Sequence, residues 1–128
     1  MNAQKDAFTI RTTSIILPNT YIYFTDTEWN GTYFGIDEHT MIWNSGEDSI
    51  PAGSIIYFKS FTSHTITSIG STQGILKIAS KKEAIFAYQG TLRMPTHFIA
   101  GIAFNPSDYG TLENTGLIID STAFVLPQ

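Results

Sequence analysis

The chain has 128 residues, 42% of them hydrophobic and 13% aromatic, enough to bury a core in one domain without staples. Only 14% of residues are charged, and seven Lys plus Arg against eleven Asp plus Glu give a net charge of −4. That balance supplies no basic stripe for nucleic acid or anionic lipid, and the lack of cysteine removes disulfides, thiol catalysis and zinc–thiolate sites. No apolar run approaches the ~20 residues that a membrane helix needs, so membrane insertion is not expected. A surface this poor in Lys and Glu must be covered by Thr, Ser, Asn and Gly. Such surfaces are common on extracellular and assembly-forming β proteins.

In chain order, Phe8 and Ile10 alternate with Thr9 and Arg11, so residues 7–16 read as a strand with one wet face. Leu17-Pro18-Asn19-Thr20 is a turn, and residues 21–26 form a second strand rich in aromatic and β-branched side chains. A long loop over 27–39 contains Asn30-Gly31, and a short strand at 40–43 ends in Trp43 before the turn Asn44–Asp48. Strands are expected at 54–61 and 63–69, continuous or hinged near Ser60–Thr62, then at 75–80 after Gly74 and at 84–88. His97–Phe104 reads as a strand whose Gly101 marks a bulge or a close backbone approach. Segments 117–120 and 121–126 complete the chain. No stretch keeps apolar residues at helical spacing for three turns. The pattern predicts an all-β, antiparallel, Ig-like sandwich of seven to nine strands, with residues 1–128 as one domain. Strand parity places Ile22, Phe24, Trp43, Ile56, Phe58, Ile85, Ala87 and Ile99 in the core between two sheets, with Tyr21 and Tyr23 on the other face.

Several segments carry a family resemblance: Asp6-Ala7-Phe8, Pro18-Asn19-Thr20 before Ile22-Tyr23-Phe24-Thr25-Asp26, Trp29-Asn30-Gly31, Ile50-Pro51-Ala52-Gly53-Ser54, and Ile85-Phe86-Ala87-Tyr88-Gln89-Gly90. Together with Pro95-Thr96 before Phe98–Ile102, they make residues 6–126 resemble an Ig-like, lamin-tail-like β-sandwich module of secreted bacterial surface proteins. The resemblance implies an accessory or display domain with no catalysis of its own. Two departures stand out. Residues 1–5 leave almost no room for the strand with which such modules usually begin, and Lys82-Glu83 replaces a Gly-Asp turn.

The candidate sites follow from residue type. Asp26, Glu28, Asp37 and Glu38 lie in a stretch without Lys or Arg between Arg11 and Lys59, and loop carboxylates of this kind suit calcium. Glu47 and Asp48 belong to the same stretch but fall at the opposite end of the strand at 40–43. His39, His64 and His97 are far apart, and His39 beside Asp37 or Glu38 makes a poor zinc set because adjacent strand positions face opposite ways. Ser63-His64 is a pair without a third member, no Gly-x-Ser-x-Gly elbow occurs, and nothing marks Asp26 and Glu28 as a catalytic carboxylate pair. No enzyme is expected, and no cofactor beyond possible calcium. In the loop 27–39, Trp29, Tyr33 and Phe34 are candidates for stacking on sugar or anchoring a protein.

The leading expectation is a non-enzymatic extracellular or cell-surface structural subunit. A sandwich short of its first strand presents an open edge, and Phe8, Ile10, Arg11 and Thr12 would line it with a single charge to discourage pairing. A strand from a second copy or another protein would fill that edge, making a homo-oligomer or a strand-sharing complex. Alternatives are a carbohydrate- or protein-binding module using the aromatic loop 27–39, or an accessory domain of a larger secreted enzyme.

Overall fold

A computed structural model describes residues 7–27, 29–32, 34, 39–60, 65–76, 84–91, 95–103, 109–118 and 123–125. Nine strands lie among them: β1 (Phe8–Arg11), β2 (Tyr21–Thr25), β3 (Thr40–Asn44), β4 (Ile55–Lys59), β5 (Ile66–Thr67), β6 (Ser71–Gln73), β7 (Ala84–Gly90), β8 (Pro95–Ala103) and β9 (Ala123–Val125). They form a three-stranded sheet in the order β1-β4-β5 and a six-stranded sheet in the order β6-β3-β2-β7-β8-β9. Every pairing is antiparallel except β8 with β9, which is parallel. The fold is an all-β antiparallel sandwich, compatible with an Ig-like module.

Period-2 alternation explains which faces meet. In β2, Ile22 and Phe24 are buried while Tyr21 is 55% exposed, and in β4 Ile56 and Phe58 are buried between exposed neighbours. The expected core forms as one cluster of Ile22, Phe24, Trp43, Ile56, Phe58, Ile85 and Ala87, with Ile99 partly buried against it. Phe8, Phe24 and Phe58 meet at its centre, with ring centroids 4.8–5.5 Å apart. The indole N–H of Trp43 donates to the Ile69 carbonyl at 2.8 Å, so the largest buried ring has its polar atom satisfied.

A second cluster lies on the opposite face of the six-stranded sheet, where Phe86, Tyr88, Ala103 and Tyr109 pack with Trp29, Phe34 and Leu117. β7 is therefore covered on both faces and is buried from Ala84 through Tyr88. The pairing of β7 with β8 runs from Ala87↔Ala100 to Tyr88↔Phe98, so Ile99 is the extra residue of a bulge. This bulge lets Ile99 join the first cluster while Phe98 joins the second. Gly101 is also a site of close approach: a Cβ there would lie 2.8 Å from Cε1 of Tyr109.

Two features differ from the sequence reading. Regular pairing of the first strand stops at Arg11 because Thr12 turns into the loop at 51–54, and Ile16 returns only as an isolated bridge to Ile50. β6 at Ser71–Gln73 is a strand that the sequence pattern did not announce; it ends before Gly74, whose φ is positive, and most of the strand expected at 75–80 lies outside the described residues. Of the two alternatives for 54–61 and 63–69, the hinged one fits, since β4 and β5 pair antiparallel.

Gly101→Ala is expected to lower unfolding stability by about 1–3 kcal/mol, because the added methyl must displace a buried ring. Urea unfolding measures this, and wild-type stability in the variant would contradict the packing of Tyr109 over Gly101.

Candidate functional site

Trp29 and Phe34, the described aromatic residues of the loop, serve the core rather than the surface. Trp29 is 4% exposed and Phe34 3%, and their rings meet edge-on at 5.0 Å. Loop 29–34 is clamped to loop 109–115 by main-chain bonds: Trp29 N–H donates to the Tyr109 carbonyl at 3.0 Å, and Thr111 N–H to the Trp29 carbonyl at 3.1 Å. The Trp29 indole N–H donates to the Glu113 carbonyl at 2.7 Å, and the Asn114 amide to the Gly31 carbonyl at 2.8 Å. These contacts correct the expectation of Trp29 and Phe34 as exposed stacking residues. The outer face of β7 and β8 needs cover, and the loop rings provide it. Tyr33 lies outside the described residues.

Of the four calcium candidates, Glu28, Asp37 and Glu38 lie outside the described residues, as does His64. Asp26 is buried, and its Oδ1 accepts the His39 N–H at 2.8 Å while its own N–H donates to the His39 carbonyl at 3.2 Å. This carboxylate ties the start of the long loop to its end. Among the described residues no three His, Asp or Glu side chains gather as a metal set. Glu47 and Asp48 follow β3 at the end that pairs with Tyr21, opposite the Thr25↔Thr40 end where Asp26 sits.

The edge at β1 is the feature that the topology leaves open. β1 is the outermost strand of its sheet and pairs only with β4 among the described residues. Which backbone groups face outward follows from the ladder. Tyr57 turns toward β5, with its N–H on the Ser68 hydroxyl at 2.9 Å and its carbonyl accepting the Ser68 N–H at 3.1 Å. Ile56 and Phe58 therefore face β1, where they are paired with Ile10 and Phe8. Thr12 N–H continues this alternation by donating to the Ser54 carbonyl at 2.9 Å. The N–H and C=O groups of Thr9 and Arg11 are left pointing away from the sheet.

Of the four residues expected on this edge, only Arg11 presents its backbone outward. Phe8 and Ile10 turn their backbones to β4 and their side chains inward. Thr12 is committed to the turn at 51–54. Its hydroxyl donates to the Pro51 carbonyl at 2.9 Å and accepts the Ser54 N–H at 3.0 Å, and its carbonyl accepts the Gly53 N–H at 2.7 Å. Thr9 is the edge residue that sequence reasoning missed. Its signal is parity: if Phe8 and Ile10 face the core, Thr9 shares its face and its ladder position with Arg11.

Beside this edge lies a trough of about 540 Å³. Its wall is the segment Ile10–Leu17, and its floor is the inner face of β2, β7 and β8 at Ile22, Phe24, Ala87, Gln89, His97, Ile99 and Ala100. The trough arises from a mismatch in width. The small sheet starts where β5 lies near β6 and ends where Phe8 of β1 sits over Phe24 of β2, so it stops short of β7 and β8. Ile15, 59% exposed, and Leu17, 63% exposed, extend its apolar rim. The run Ile15-Ile16-Leu17 is the sequence signal for this rim, hidden by reading 7–16 as one strand. The described part of the C-terminal tail does not fill the trough by pairing with β1: β9 adds to β8 in the other sheet.

Comparison with protein-family models, curated proteins and solved structures gave no match to this chain. The site is a strand edge that has no further partner among the described residues, set over an apolar trough.

Trp29→Ala is expected to cost about 3–5 kcal/mol of stability, the range for deleting a large buried aromatic side chain. Thermal and denaturant unfolding check it. A loss below about 0.5 kcal/mol, usual for surface substitutions, would return Trp29 to the surface.

Proposed function

We propose that this chain is a non-enzymatic structural subunit, acting outside the cell or at its surface, that joins copies of itself by strand addition at β1. The observation that carries the reading is the outward pair of backbone positions, Thr9 and Arg11, set beside a trough of apolar side chains. An added strand would satisfy those N–H and C=O groups and cover the half-buried Ile99 and Ala100 with its inward side chains. Exposed edges are usually blunted by charge, proline or a bulge. β1 holds one charge, Arg11, and no proline.

A strand given by one copy to the next makes a heterologous contact, which closes into a ring or continues as a filament according to its rotation. The charge-poor surface rich in Thr, Ser and Asn, and the resemblance to a lamin-tail-like module of secreted bacterial surface proteins, support the extracellular setting. No chemistry or cofactor is required for this role. The alternative binding role for the loop 27–39 loses support because Trp29 and Phe34 are core residues.

Thr9→Pro tests the reading. The Thr9 N–H points away from β4, so proline there removes a bond to an incoming strand while sparing the β1–β4 ladder. Sedimentation should show wild-type assemblies that grow with concentration and a Thr9→Pro chain that stays monomeric with the same circular dichroism spectrum. A folded Thr9→Pro chain that assembles like the wild type would refute strand addition at β1.

A further inference from the structure

The outer face of the small sheet, turned away from the trough, carries an exposed apolar centre. Alternation points Thr9 and Arg11 of β1, Ile55, Tyr57 and Lys59 of β4, and Ile66 of β5 outward. Direct pairing sets Arg11 beside Ile55, Thr9 beside Tyr57 and Lys59 beside Ile66. Ile55, Tyr57 and Ile66 are each 50–55% exposed, so three large apolar side chains meet solvent on three short strands. Arg11 and Lys59 are the two residues with Lys or Arg side chains among those described. Both stand on this face, one at each end of the apolar row.

A surface of opposite sign lies at one end of the sandwich. Glu47 and Asp48 are exposed on the turn that follows β3. Three bonds fix this turn beside the start of β2. Asn19 N–H donates to the Gly46 carbonyl at 2.7 Å, Ser45 N–H to the Thr20 carbonyl at 2.9 Å, and Thr20 N–H to the Ser45 hydroxyl at 2.9 Å. Tyr21, paired with Asn44 and 55% exposed, therefore flanks the two acids. Glu113, the other exposed acid among the described residues, is single, and its carboxylate lies over Gly31.

The two surfaces complement each other, since each joins exposed apolar area to charge, positive on one and negative on the other. They lie on different parts of the chain, so the contact they make is heterologous, from one copy to the next. Three half-exposed side chains offer far less than the roughly 800 Å² per partner of a stable interface. One such contact does not hold two free chains together. Copies already joined at β1 present many faces and turns at once, and repeated weak contacts then reinforce one another.

Resting on the proposed strand addition, we infer that the outer face of the small sheet is a lateral contact between assemblies. It receives the Glu47–Asp48 turn of a copy in a neighbouring assembly. Lys59, on the central strand β4, takes the carboxylates, because Arg11 on β1 flanks the incoming strand. The neighbour's Tyr21 covers Tyr57 and Ile55.

Exchanging the charges tests this contact. Full-length Lys59→Glu, the double variant Glu47→Lys with Asp48→Lys, and the chain with all three substitutions are compared with wild type. Sedimentation and electron microscopy follow assembly, and circular dichroism checks the fold. Wild-type assemblies should associate side by side. Lys59→Glu and the double variant should each still assemble through β1, with side-by-side association reduced about tenfold or more by like charges. The triple variant should regain it, because its charges are exchanged rather than lost. Folded Lys59→Glu that associates laterally like wild type, or a triple variant no better than Lys59→Glu, would overturn the lateral contact and leave strand addition standing. So would wild-type assemblies that never associate side by side. Wild-type chains that stay monomeric at every concentration would overturn both.

Discussion

Phe8, Phe24 and Phe58 meet within 5.5 Å of one another, ring centre to ring centre, and this contact sets where the small sheet lies on the large one. Each ring comes from a different strand, so the trio joins β1 and β4 of one sheet to β2 of the other. Aromatic contacts of this geometry add about 0.5–1.5 kcal/mol each beyond the area they bury. They also fix register, because Phe8 stays opposite Phe58 only when Thr9 and Arg11 face outward. The edge and the trough both follow from that placement. With β1 held over β2, a sheet of three strands cannot reach across β7 and β8.

The large sheet meets its covering problem differently on its two faces. On the inner face the small sheet covers part of the surface and leaves the trough. On the outer face loops take the place of a sheet, with Trp29, Phe34 and Tyr109 laid against Phe86 and Tyr88. Such loops need their backbone groups paired, and the bonds between residues 29–31 and 109–114 supply them. Asp26 closes the same loop at its base through His39. The acidic and aromatic residues that most invite a functional reading are thus, where described, engaged in holding the fold. The residues of the open edge are ordinary by comparison: a threonine, an arginine and a few small or aliphatic side chains.

The fold was legible because its signals are local. Alternation in Tyr21–Thr25 and Ile55–Lys59 sorted their faces correctly, and Pro, Gly and Asn marked the turns between them. Gly101 was legible as a backbone approach before Tyr109 could be named as its partner. The site was less legible because it depends on how two sheets overlap. Alternation cannot report that a sheet of three strands lies over one of six. Nor can composition tell a tryptophan in a glycine-containing loop that binds from one that covers a strand. Thr12 is instructive here. Its place in the strand pattern suggests an edge residue, while its pairing with Pro51, Gly53 and Ser54 depends on a turn forty residues away in the chain.

If β1 receives a strand, the consequence is confined to two amides. Ile10 and Thr12 face β4 and the 51–54 turn in the isolated chain, whereas Thr9 and Arg11 face outward. Residue-resolved hydrogen exchange across a concentration series reads this difference directly. The Ile10 and Thr12 amides should be protected at every concentration, and Thr9 and Arg11 should gain protection only as the chain associates. Fast exchange at Thr9 and Arg11 in the associated state, or full protection of both in dilute monomer, would contradict strand addition at β1.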